Sequence, residues 1–185
     1  MKILYQGSPG AYSHIAALEV YPNAKIIPCK TFDECFSKAI EDEKVRIIIP
    51  ESNRITGNIG VEYLIFKYRL NIYAEHFHPV QHNLLGLPGS KTKDIKHVFS
   101  HAQALSQSSS FIKKNKLIEN VRADTAGSAA YIASNKKRDE AAIASKLSAK
   151  IYNLDILESN IENEKENVTR FLIMGKLTLQ PELKE

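Results

Sequence analysis

Asn167-Val168-Thr169-Arg170-Phe171 places a hydroxyl, a permanent cation and an aromatic ring on three consecutive residues. A hydroxyl can give a hydrogen bond to a departing oxygen, a guanidinium can clamp a carboxylate in bidentate fashion, and a ring can keep water out. The run sits between the solvated Glu162-Asn163-Glu164-Lys165-Glu166 and the apolar Phe171-Leu172-Ile173-Met174. It therefore reads as a loop entering a buried strand, a junction where polar side chains can face a cleft. Taken alone, these five residues suit an ordinary strand start better than a functional loop. Two other stretches have anion chemistry. Gly7-Ser8-Pro9-Gly10 lies between a strand and a helix start, and Thr125-Ala126-Gly127-Ser128 opens another helix. Backbone N–H groups at such places can hold a negative group. His76, His78 and His82 alternate along one side of an extended run, which invites a metal reading. No carboxylate or further ligand is spaced along the chain to complete that site, so no metal is expected.

The elements that must position these groups follow from periodicity. Residues 2–6 read as a strand, 11–20 as a helix stopped by Tyr21-Pro22-Asn23, and 25–29 as a second strand. Thr31-Phe32-Asp33-Glu34 fits a capping box for a helix reaching about residue 44. Four of the five residues 45–49 are β-branched, which suits a strand buried on both faces, with Pro50-Glu51-Ser52-Asn53 at its C-terminal end. A helix over 59–68 precedes a long extended run, 71–87, which reads as the crossover between two lobes. Strands over 94–99 and 120–124, helices from 100 to about 114 and from 125, an extended 140–145, a helix over 146–152 and an extended 154–159 complete the second half. A last strand, 169–176, returns to the first sheet. Alternating strands and helices with one crossover and one late return predict two α/β lobes with a central cleft. Lobe 1 spans 1–74 plus 166–178, lobe 2 spans 75–165, and 179–185 is an outgoing tail or linker.

Composition excludes several functions. The 185 residues are long enough for a core that needs no staples. The net charge of +4 is spread over lysines scattered among glutamates, with no basic block interleaved with aromatics, which argues against nucleic acid. No run of 18 apolar residues occurs, so no membrane span is expected, and the N-terminal apolar run is too short for a signal peptide. Cys29 and Cys35 lack CxxC spacing and read as core thiols of a reducing, cytoplasmic compartment.

Seven blocks, in order, resemble the prephenate dehydratase family. They are Tyr5-Gln6-Gly7-Ser8-Pro9-Gly10-Ala11-Tyr12-Ser13; residues 53–57; Glu75-His76-Phe77 with Val80, His82 and Leu84-Leu85; Ser100-His101-Ala102-Gln103-Ala104-Leu105-Ser106-Gln107; Asp124-Thr125-Ala126; Ala141-Ala142-Ile143-Ala144-Ser145; and Asn167-Val168-Thr169-Arg170-Phe171. Together they cover residues 3 to about 174. The resemblance implies two lobes like a type II periplasmic binding protein and conversion of prephenate to phenylpyruvate, water and carbon dioxide on the way to phenylalanine. It implies no cofactor, a small-molecule substrate and a homodimer. Members usually carry a C-terminal ACT domain that binds phenylalanine; this chain stops before one. By resemblance Thr169 stands at the leaving hydroxyl, and Asn53, Ser100 and Gln107 point neutral polar groups into the cleft. Ser100 also reads as a helix cap. Arg170 either clamps a carboxylate or pairs with a nearby glutamate. Phe171 shapes the pocket, Thr125 and Ala126 suit a carboxylate, and Tyr12 and Ser13 are wall residues.

This sequence departs from the family pattern at one place that matters. The usual Pro-Ile-Glu-Asn-Ser is here Pro50-Glu51-Ser52-Asn53-Arg54, so the family glutamate falls on Ser52. In an extended strand Glu51 points to the face opposite Ser52. Either a one-residue shift restores the acid or the site lacks it. The alternative to a dehydratase is a catalytically impaired small-anion binder on the same fold.

Overall fold

In the computed structural model the structure describes residues 1–176, so the expected tail and the end of the 166–178 segment lie outside the described residues. The chain builds two sheets. The first contains β1 (Lys2–Gln6), β2 (Lys25–Cys29), β3 (Val45–Asn53), β4 (Gly57–Asn58), β5 (Asn71–Pro79) and β11 (Val168–Gly175). Its order is β2-β1-β3-β11-β5, with β4 beside β3; β1 runs parallel to β2 and β3, and β11 antiparallel to β3 and β5. The second sheet contains β6 (Asn83–Gly86), β7 (His97–Ser100), β8 (Ile118–Val121), β9 (Glu140–Ala144) and β10 (Asp155–Glu158), in the order β10-β6-β9-β7-β8.

The β-branched centre of β3 explains the first layer. Ile47, Ile48 and Ile49 are wholly buried, because helices cover both faces of the strand. Ile47 and Ile49 pack with Phe36 of α2 (Phe32–Glu41) and Leu64 of α3 (Glu62–Tyr68), while Ile48 packs with Ala16 and Ala17 of α1 (Tyr12–Val20). Thr31 caps α2 by accepting from the Glu34 N–H at 3.1 Å, as the capping box predicts. In the second layer α4 (Ala102–Gln107), α5 (Ser109–Lys114), α6 (Thr125–Asn135) and α7 (Lys146–Tyr152) flank a sheet whose central β9 is entirely buried. Cys29 and Cys35 are buried free thiols, and burial pushes both pKa values up.

Two expectations change. The 71–87 run is two strands in different sheets: β5 pairs with β11 as far as Pro79↔Val168, so residues 75–79 stay in the first sheet and the crossing falls at 80–82. Proline is tolerated there because β5 is an edge strand. The helix expected over 100–114 breaks at Ser108 into α4 and α5. No described helix is long and apolar enough to cross a membrane.

Candidate active site

A cleft of about 350 Å³ opens between the two sheets. Asn53, Thr169 and Phe171 come from the adjoining ends of β3 and β11; Tyr12 and Ser13 from the first turn of α1; Gln107 from the end of α4; and Thr125 from the start of α6. These seven expected site residues are thus brought to one place. No lysine or arginine lines it among the described residues, and the Asp124 carboxylate does, so an anion would meet neutral donors and the N-terminal ends of α1 and α4, with Asp124 already seated on the start of α6. None of these helices has an acidic residue in its first turn.

One polar chain crosses the cleft floor, and its direction is fixed by backbone. The N–H groups of Ile55 and Thr56 donate to Asn53 Oδ1 at 3.0 and 3.2 Å. That leaves Asn53 Nδ2 to donate to Asn167 Oδ1 at 2.7 Å and to Thr169 Oγ1 at 2.9 Å. Asn167 Nδ2 then donates to Gln107 Oε1 at 3.1 Å, and the same oxygen receives His82 Nε2 at 2.8 Å. Each amide orientation follows from the one before, because a main-chain N–H can only donate. Two consequences follow at the far end and the middle. Gln107 Nε2 is left buried without a partner among the described residues. Thr169 Oγ1, already an acceptor, keeps its own proton free to give away.

His82 takes up the rest of the far wall. Its Nδ1 lies 2.9 Å from the Tyr12 hydroxyl, whose single proton is shared between that nitrogen and the Gln81 carbonyl at 2.7 Å. Burial lowers the His82 pKa, outweighing the hydrogen bond to Gln107, so the ring is neutral and its proton sits on Nε2. Burial likewise raises the Tyr12 pKa, keeping that hydroxyl protonated. Asn167 and His82 were not singled out from the sequence as site residues. The signal lay in the matching blocks that contain them, but their roles depend on a bond network between residues 25 to 114 positions apart.

Four expected site residues do not line the cleft. Ser100 is buried at the end of β7 with its hydroxyl donating to the Ile143 carbonyl at 2.6 Å; the cap of α4 is His101 instead. Ala126 is fully buried inside α6. Arg170 and Ser52 lie on the opposite face of their strands. Thr169 pairs with Asn53, Arg170 with Ser52 and Phe171 with Pro50, so Glu51 is an extra residue in β3, a β-bulge. The bulge changes the strand's parity: Pro50 and Asn53, three apart, both face the cleft, whereas Glu51 and Ser52 both meet Arg170. Glu51 Oε2 accepts from Ser52 Oγ at 2.6 Å and from Arg170 Nη1 at 3.3 Å, and Arg170 Nε donates to Glu75 Oε2 at 2.7 Å. The simple alternation expected for Glu51 and Ser52 is therefore corrected, and neither residue lines the cleft.

The expected anion cradles are partly filled from within. In the first loop the Gly7, Gly10 and Ala11 N–H groups are bound to Cys29 O, His14 Nδ1 and Ser8 O. The Gly10 carbonyl accepts from Ser145 Oγ at 2.6 Å and Ser148 Oγ at 3.0 Å, docking this loop on the start of α7. A Cβ on Gly10, which sits at φ +95°, would meet Ser148 Oγ at 2.5 Å, so glycine is required by both torsion and space. At α6 the Asp124 carboxylate caps the Gly127 N–H at 2.5 Å. Away from the cleft, His76 and His78 share a face of β5, while His82 does not; Glu19 of α1 joins the pair, so a carboxylate completes a trio that the sequence spacing did not reveal.

Comparison with known proteins gives these likenesses. The family model described as prephenate dehydratase matches residues 3–178. The chain is 44% identical over 184 residues to an enzyme of Arabidopsis thaliana named arogenate dehydratase/prephenate dehydratase 1, chloroplastic, covering 98% of this chain and 46% of that protein. It thus spans about half the length of the curated relatives it matches. A solved structure described as GqqA, a novel type of quorum quenching acylase, superposes with TM-score 0.88 at 33% identity, covering 98% of this chain and 67% of that one. The prephenate dehydratase of Staphylococcus aureus superposes with TM-score 0.82 at 25% identity, covering 97% and 67%. A putative methionine-binding lipoprotein of Bacillus subtilis, at TM-score 0.51 and 9% identity over 95% and 83%, shares the fold alone.

Proposed function

The chain belongs to the prephenate dehydratase family, and on that premise we propose that it is the catalytic part of an enzyme that removes water and carbon dioxide from prephenate to give phenylpyruvate. The observation that carries this reading is the Thr169 hydroxyl, held as an acceptor by Asn53 Nδ2 at 2.9 Å with its proton free for the cleft. The reaction breaks the ring C–O bond and the bond to the ring carboxylate. The electron pair left by departing carbon dioxide completes the aromatic ring, and the leaving hydroxide takes up one proton to become water. An aliphatic hydroxyl is a weak acid, so Thr169 gives a hydrogen bond that strengthens as negative charge grows on the leaving oxygen.

The remaining roles follow from where the side chains lie. Gln107 Nε2, without a partner among the described residues, would donate to a substrate carboxylate or carbonyl. Thr125 and Ser13 would hold the pyruvyl end with their hydroxyls, beside the ring of Tyr12. Phe171, Pro50 and Val80 supply apolar wall that leaves the ring carboxylate poorly solvated, which favours its loss. Arg170 serves the strand pair rather than the substrate.

The test is incubation of the purified chain with prephenate, following phenylpyruvate absorbance after alkali, with arogenate and detection of phenylalanine in parallel. Turnover of prephenate supports the proposal, and turnover of arogenate alone moves the substrate to the aminated acid. Saturable binding without product would make the chain a catalytically impaired anion binder. An acylase reading, after GqqA, would need a base beside a nucleophile, and Thr169 has an amide as its partner. We further propose a homodimer, to which exposed Tyr63 and Phe66 on α3 would contribute apolar area, and a cytoplasmic setting suited to two reduced thiols. Light scattering and cell fractionation would check these.

A further inference from the structure

Behind the cleft wall, α1 and β5 bring together three metal-ligating side chains that the proposed dehydration does not use. His76 and His78 are two apart on an edge strand and so project from the same face. Glu19, from the last turn of α1, reaches between them: its Oε2 lies 2.7 Å from His76 Nε2 and 3.0 Å from His78 Nδ1. Donor atoms of all three lie within 4.8 Å of one another. Their exposures are graded, with side chains of Glu19, His76 and His78 at 42%, 26% and 10%, so the trio is anchored on one side and open to solvent on the other.

We propose that Glu19, His76 and His78 bind a divalent transition-metal ion of the zinc class. Two imidazoles and one carboxylate are a donor set that suits Zn²⁺, Co²⁺ or Ni²⁺ and disfavours Mg²⁺ and Ca²⁺, which want oxygen ligands. Bonds of about 2.0–2.2 Å in a tetrahedral arrangement place ligand atoms roughly 3.4 Å apart, so the ion replaces the two short contacts to Glu19 with only a small opening of the trio. Water completes the shell from the solvent side. The ion would pin the C-terminal end of α1 to β5. Tyr12, two turns earlier on the same face of α1, is fixed at the other end by Gln81 and His82. The bound ion therefore steadies the helix that carries Tyr12 and Ser13 to the cleft, without touching the reacting atoms.

Titration of the chelator-treated chain with Co²⁺, read from its visible d–d bands, tests this directly and needs no enzymatic activity. The expected result is one equivalent per chain, displaced by Zn²⁺, with affinity falling roughly 100-fold or more in each of Glu19→Gln, His76→Asn and His78→Asn. His97→Asn, on β7, should bind as the parent does. Absence of a saturable band, or equal affinity in all three variants, overturns the proposal. Should a variant fold poorly, the parent decides: Zn²⁺ must raise its Tm and must no longer do so in Glu19→Gln; no rise in the parent also overturns it.

Discussion

The strand pair β3–β11 has two faces with opposite polar economies. On the cleft face, Asn53, Asn167 and Thr169 form a chain whose members are buried, neutral and left with a hydroxyl proton and a Gln107 N–H group in hand. On the other face, Arg170 is gripped by Glu51 and Glu75, with Ser52 filling a further valence of Glu51. The saturated face holds the strands in register, and the unsaturated one can act on a ligand, since a buried donor without a partner binds whatever supplies an acceptor. What separates them is one extra residue in β3.

Thr169→Ala is the strongest way to break this contrast. It should lower kcat by about 10²–10⁴-fold while KM stays within a few-fold, because in the proposed reaction the hydroxyl acts on the leaving group in the transition state. Thr169→Ser should recover part of the rate. Steady-state kinetics on prephenate decide the matter: a Thr169→Ala enzyme that keeps most of its kcat would move the chemistry elsewhere.

The polarity of the amide chain gives a second, directional test. Asn53→Asp keeps the acceptor for Ile55 and Thr56 but puts an oxygen where Nδ2 donates to Thr169 and Asn167. Thr169 would then turn its proton to the aspartate, and Asn167 Oδ1 would face a carboxylate. We expect kcat to fall by about 100-fold and stability by roughly 1–3 kcal/mol, the cost of a buried mismatch. Chemical denaturation and kinetics, measured side by side, would show whether the two losses arise together.

Acidification sharpens the comparison from the far wall. The folded-state pKa of His82 lies below the ordinary value of 6.5, chiefly through burial, and burial lowers His14 in the same sense. The unfolded chain therefore binds more protons than the folded one below about pH 6.5. The stability these rings contribute is complete above that pH and is lost as pH falls from there through the lower folded-state values. Urea midpoints should drop between about pH 7.5 and 5.5, and His82→Asn should flatten the drop.

Much of this was legible from residues alone. The β-branched 45–49 run, the capping box at Thr31 and the junction before Phe171 name their elements because hydrophobic period and cap chemistry are local. Asn53, Gln107 and Thr169 were legible through the matching blocks. The bulge was not, since parity depends on which residue of β11 faces which residue of β3, and a strand pattern holds no record of its partner. Glu19 joins histidines 57 and 59 positions away, a meeting set by how α1 lies across the sheet. Ser100 was misplaced in the cleft because a serine that ends a strand and precedes a helix has two ways to be satisfied, and here the β9 carbonyl takes its proton.

The smallest expected effect is the most informative about the outer face. If the family acid had merely moved, Ser52→Glu should improve turnover; because the bulge turns this position toward Arg170, we expect kcat within about twofold of the parent. Arg170→Met should be similarly mild in KM, since its guanidinium already has two carboxylates and is partly exposed. A KM raised tenfold or more by Arg170→Met would mean that the arginine leaves Glu51 and Glu75 to meet substrate. The two faces would then exchange groups during the reaction, and the bulge would be a hinge rather than a fixed turn of the strand.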